Sequence, residues 1–136
     1  TSNEEHVERL GVFGENLGIA FQLQDDYLDY AGRKKLLGKS VGNDLKEKKF
    51  TLPLIISLNN APKKKSAEIM KLIKSDSKKK FDIVHDFVYE YGGMEYTQNK
   101  IKEYSLKAKE AICIFKETET KKSLLKLVDF LEIREH

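Results

Sequence analysis

The chain has 136 residues, 25 basic and 22 acidic side chains and a net charge of +3, which suits a single domain with a modest core. A mean hydropathy of −0.54 and the lack of any long uncharged apolar run exclude a membrane-spanning helix. The lone cysteine, Cys113, excludes an internal disulfide and supports no zinc site.

A reducing cytoplasm follows as the expected location. The opening residues are polar and acidic, so no signal peptide is expected. Thr1 stands where an initiator Met would, which points to a processed or trimmed piece of something longer. Basic and acidic residues interleave, and Arg9, Arg33 and Arg134 lie far apart. A nucleic-acid surface would cluster such residues with aromatics between them, so none is expected. Lys63–Lys65 and Lys78–Lys80 fall at predicted helix junctions and read as solvated helix ends.

With two prolines, few glycines and almost no strand-like alternation, residues 1–136 read as one all-α domain, a helical bundle or part of one. The first helix is expected from Asn3 to Tyr30, with Asn3 as its cap and Glu4 and Glu5 in the first turn, where the helix dipole favours anions. Between Val12 and Leu23 it is apolar nearly all round, the pattern of a helix in the middle of a bundle.

Ala31-Gly32 ends that helix, and a polar, glycine-punctuated loop runs through residues 33–50. Thr51 then caps a second helix with Pro53 in its first turn, ending near Asn59-Asn60. Further helices are expected over about 66–74, 78–91, 94–116 and 121–132, with Gly92-Gly93 as a break. His85 reads as a surface or boundary residue, Cys113 as a small core filler, and Tyr89, Tyr91, Tyr96 and Tyr104 as packing around the glycine pair.

The informative stretch is Phe21-Gln22-Leu23-Gln24-Asp25-Asp26-Tyr27-Leu28-Asp29. Asp25 and Asp29 are i,i+4 neighbours and Asp26 is i,i+3 from Asp29, so the three carboxylates are expected to converge at the C-terminal end of one helix. Traced backwards, the same stripe holds Gln22, Phe21, Gly18, Gly14, Gly11 and Val7. Being apolar or glycine, it reads as an inward face.

Two carboxylates ~5.5 Å apart repel by ~3 kcal/mol at an effective dielectric of 20. The negative end of the helix dipole adds to that cost. A divalent cation removes it, and an all-oxygen donor set favours Mg²⁺ over zinc or iron. In the loop that follows, Gly38 and Gly42 allow tight turns, and Lys39 and Lys49 are mobile positive charges able to reach a metal-bound anion.

Gly14-x-x-x-Gly18-x-x-Phe21-Gln22-x-x-Asp25-Asp26-x-x-Asp29, then Gly38-Lys39, Gly42-Asn43-Asp44-Leu45 and Lys49-x-Thr51-Leu52-Pro53 resembles the second aspartate-rich region of the trans-isoprenyl diphosphate (polyprenyl) synthases. The resemblance covers about residues 11–58. It implies the C-terminal part of an isoprenoid-synthase fold. It also implies that Asp25, Asp26 and Asp29 hold Mg²⁺ against the diphosphate of an allylic substrate, with Asp25 the principal ligand. Gln22 then lines the site, Lys39 and Lys49 contact the diphosphate as catalytic cations, and Asp44 stands behind the metal. The implied reaction ionises the allylic diphosphate, adds isopentenyl diphosphate and loses a proton.

The first aspartate-rich motif of that family, its paired arginines and its upstream basic residues have no counterpart here, so the chain is expected to be a fragment, inactive by itself. A non-catalytic helical subunit is the alternative, though such a subunit would be expected to lose the aspartates. A terpene cyclase fits the Lys-x-Thr-Leu-Pro continuation poorly, and a di-iron bundle lacks its Glu-x-x-His pair. Without upstream helices the first helix would expose apolar surface, so a homo-oligomer, most simply a dimer, is expected.

Overall fold

The computed structural model describes residues 3–31 and 49–133. Among them lie six helices and no strand: α1 (Asn3–Ala31), α2 (Leu52–Asn60), α3 (Lys63–Lys74), α4 (Lys80–Glu90), α5 (Gly93–Ala111) and α6 (Glu119–Ile133). The all-α expectation is met. The chain divides into two compact units, one of residues 1–24 and 99–136, the other of residues 25–98.

In the unit of residues 25–98, α2, α3 and α4 enclose a core of Tyr30, Leu54, Ile69, Ile73, Val84, Phe87, Val88 and Met94. Burying side chains of this kind contributes roughly 1.5–3 kcal/mol each. Thr51 takes the cap position of α2 with an extended backbone, yet its side chain makes no cap hydrogen bond, against expectation. The start of α2 is held instead by Pro53 in its first turn. Ser57 Oγ donates to the Val88 carbonyl (3.4 Å) and Asn60 Nδ2 to the Tyr91 carbonyl (2.9 Å), tying α2 to α4.

Helix α3 begins at Lys63, three residues before the expected start, with Pro62 at its cap. Proline's fixed φ permits the earlier turn, and Ser66 Oγ anchors it by donating to the Leu58 carbonyl at 2.7 Å. Lys80 is not a solvated helix end. Its Nζ donates to the carbonyls of Ile73 and Ser75, both at 3.1 Å, and so caps α3. Gly92, at φ 80°, makes the turn after α4.

In the unit of residues 1–24 and 99–136, Phe13 packs against Ala108, Ala111, Ile112 and Val128. Helix α5 stops at Ala111 rather than near Lys116. The reason lies downstream: the buried Lys121 donates to the carbonyls of Phe115 (2.8 Å) and Cys113 (3.4 Å) and to Glu117 Oε1 (2.7 Å), fixing a tight turn where periodicity alone would continue the helix. Cys113, beyond that end, is exposed and fills no core.

The all-round burial expected for α1 is also corrected. Phe13 and Ala20 are buried, but Phe21 is 53% exposed. Val7, Gly11, Gly14, Gly18 and Gln22 are exposed along the same stripe. The core side of α1 is satisfied by α5 and α6, which leaves the opposite side open.

Candidate functional site

The last two turns of α1 hold Asp25, Asp26 and Asp29. Their unit anchors this helix end through its neighbouring flank: Tyr30 belongs to the core, Tyr27 and Ala31 pack against it, and the Tyr30 ring stacks on Phe81 at 6.2 Å. That anchoring sets how deep the carboxylates lie. Asp29 is 0% exposed, Asp26 is 9% exposed and Asp25 is half-buried. The expected inward placement therefore holds for the acids, though not for the stripe preceding them.

Burying two carboxylates is costly unless a positive charge accompanies them. The last turn of α1 carries no basic residue, so its dipole adds negative potential at the same place. A cation fits this environment, and an oxygen-only donor set suits a hard divalent ion.

The detailed geometry departs from a closed cage. Among the described residues, no three His, Cys, Asp or Glu side chains form a cluster able to hold a metal. Asp25, Asp26 and Asp29 share the C-terminal end of α1 as expected, with the adjacent Asp25 and Asp26 about 100° apart around the helix. Mg²⁺ in general takes one or two protein carboxylates and fills its remaining positions with water or phosphate.

Lys49 is exposed in the segment that leads into α2, and Gln22 is exposed about one turn before Asp25 on α1. Lys39 and Asp44 lie outside the described residues, as do Gly38 and Gly42. One feature that motif reading passed over is Gln24. It is 1% exposed, and neither its Nε2 nor its Oε1 finds a hydrogen-bond partner among the described residues. Helical spacing puts Gln24 about 200° round α1 from Gln22, off the aspartate stripe, but only the packing around α1 shows that it is buried. No described helix is long and apolar enough to cross a membrane.

A family model described as polyprenyl synthetase matches residues 1–91. The chain is 38% identical over 125 residues to an octaprenyl diphosphate synthase from Haemophilus influenzae, covering 91% of this chain and 38% of that protein. Among solved structures, geranylgeranyl pyrophosphate synthetase from Pyrococcus horikoshii superposes with a TM-score of 0.87 at 34% identity, covering 97% of this chain and 40% of that one. A polyprenyl synthase from Caulobacter crescentus, complexed with calcium and isoprenyl diphosphate, superposes with a TM-score of 0.89 at 32% identity, covering 99% of this chain and 42% of that one. The chain thus spans about two fifths of the length of these three proteins.

Proposed function

The chain belongs to the polyprenyl synthetase family, and on that premise we propose that it is the diphosphate-binding C-terminal part of a prenyltransferase that condenses an allylic diphosphate with isopentenyl diphosphate. The observation that carries this reading is the burial of Asp26 and Asp29 together at the C-terminal end of α1, beside Asp25. Asp25, Asp26 and Asp29 would hold Mg²⁺, with Asp25 the principal ligand. A hard divalent ion together with isoprenyl diphosphate in the Caulobacter crescentus synthase supports that assignment. Bound there, Mg²⁺ would neutralise the charge that builds on a departing diphosphate.

The protein's own residues do the rest. Lys49 and Lys39 place ammonium groups against the diphosphate, countering its charge as the allylic C–O bond lengthens. Gln22 orients the same group by hydrogen bonding, and Asp44 holds the metal-side ligands in position. Isopentenyl diphosphate then adds to the allylic cation and a proton is lost. The motif for a second aspartate cluster is absent from these 136 residues, so the chain by itself should show no turnover. With one cysteine and no disulfide to form, we place it in the reducing cytoplasm.

Calorimetric titration with inorganic diphosphate tests this directly. Binding is expected in millimolar Mg²⁺ and none in excess EDTA. Equal binding in both would refute the carboxylate–metal–diphosphate site.

A further inference from the structure

Helix α3 and the turn after it concentrate positive charge. Residues 63–80 carry eight lysines against two acids, Glu68 and Asp76, a net charge of +6 in a chain whose total is +3. Lys80 caps α3. Lys63, Lys64, Lys71, Lys74, Lys78 and Lys79 are all exposed, and none of their side chains makes an ion pair or hydrogen bond with another described residue. At 100° per residue, Lys63, Lys64, Ala67, Lys71 and Lys74 fall on one arc of about 100°. The opposite side of α3 holds Ile69 and Ile73, buried in the core with Leu72 packed against it, so burial turns the lysines outward. Glu68, the one acid of α3, stands at the edge of their arc.

Part of this pattern works against the helix that carries it. Lys71 and Lys74 lie in the last turn, where the dipole favours cations. Lys63 and Lys64 lie in the first turn, whose amide groups repel them, and that turn has no acid to offset the repulsion. Lys71 and Lys74, three residues apart, also repel each other. A solvated surface with no further role mixes both signs, as α5 does where Lys100 and Lys107 pair with Glu103.

We propose that this lysine stripe docks the protein on an anionic lipid surface. The side-chain chemistry selects that occupant. Residues 62–80 contain no arginine and no aromatic ring. Nucleic-acid surfaces interleave both with lysine, and the centres of protein interfaces are enriched in both and depleted in lysine. Lysine is a hydrated point charge on a flexible stem, without the planar fork that grips a single phosphate. Several lysines side by side match a diffuse layer of negative headgroups, such as the cytoplasmic leaflet of a membrane presents. No described helix is long and apolar enough to cross a bilayer, so the contact is peripheral. This inference is independent of the metal–diphosphate chemistry.

Co-sedimentation of the 136-residue chain with vesicles tests it, in EDTA so that no metal bridges the aspartates to lipid phosphate. Binding is expected to vesicles of phosphatidylglycerol and phosphatidylcholine in equal parts, not to phosphatidylcholine alone, and should weaken as added salt shortens the Debye length. Lys63→Gln, Lys64→Gln, Lys71→Gln and Lys74→Gln combined should weaken it by roughly several hundredfold, at about fivefold per lysine, without lowering the melting temperature. Lys102→Gln, Lys107→Gln, Lys116→Gln and Lys126→Gln combined remove the same charge elsewhere and should weaken it far less. No binding to the mixed vesicles, binding as tight to phosphatidylcholine alone, or an equal loss in the two variants would each overturn the proposal. Equal or tighter binding to duplex DNA or polyglutamate at the same salt would overturn the lipid as occupant. A failed diphosphate titration would count against the proposed function and leave the lysine stripe standing.

Discussion

Gly93 lies against the backbone of Pro53 so closely that an added Cβ would stand 2.8 Å from the Pro53 carbonyl carbon, and nearer still to its oxygen and to Ser57 Oγ. This contact locks the first turn of α5 onto the first turn of α2, reinforced by Thr97 Oγ1 donating to the Gly93 carbonyl at 2.8 Å. Gly93→Ala should therefore cost about 3 kcal/mol, since a backbone carbonyl cannot rotate away as a side chain can. Gly92→Ala, where the strain is a φ of 80°, should cost nearer ~1 kcal/mol. Urea unfolding of the two variants checks the order; equal stabilities would contradict the close approach.

Metal and anion should act together on stability. In millimolar Mg²⁺ with diphosphate at 100 times its dissociation constant, linkage predicts a gain of about 2.7 kcal/mol. Asp25→Ala should remove most of that gain in a thermal melt. A shift as large as in the parent chain would place the ligand elsewhere.

Lys49 should contribute to the anion and not to the metal. Lys49→Ala is expected to weaken diphosphate binding about tenfold, a difference of ~1.4 kcal/mol, with Mg²⁺ affinity measured alone unchanged. Lys39→Ala should behave alike. Calorimetry with each ligand in turn separates the two effects, and loss of metal binding in either variant would assign that lysine a different role.

The Glu117–Lys121 contact gives a pH signature. The Lys121 ammonium, by hydrogen bond and then by charge, holds the Glu117 carboxyl below its ordinary value of 4.5. A folded-state value below the unfolded one contributes stability that is fully present above pH 4.5 and is lost as pH falls through the folded value. Glu117→Gln should thus lower the melting temperature at neutral pH, modestly because Glu117 is largely exposed. The deficit should shrink on acidification. A deficit that is constant with pH would mean that packing, not the ion pair, is responsible.

The exposed face of α1 should make the isolated chain self-associate. Sedimentation velocity at tens of micromolar is expected to show a species larger than a monomer, reduced by Phe21→Glu. A monomer across that range would sink the expectation of a homo-oligomer.

The six helices of the described residues, the breaks at Asn59-Asn60 and Gly92-Gly93, and the grouping of Asp25, Asp26 and Asp29 at one helix end were legible in the sequence, because 3.6-residue periodicity and glycine or proline punctuation are local properties. Lys121 reaching back to end α5, Lys80 capping α3, the burial of Gln24 and the Gly93–Pro53 contact came only from the tertiary structure. Each depends on a partner brought close by packing rather than by spacing. The same limit governs α1. Its run of apolar residues showed that both sides of the helix call for cover, but only the positions of α5 and α6 decided that Phe13 has it and Phe21 does not.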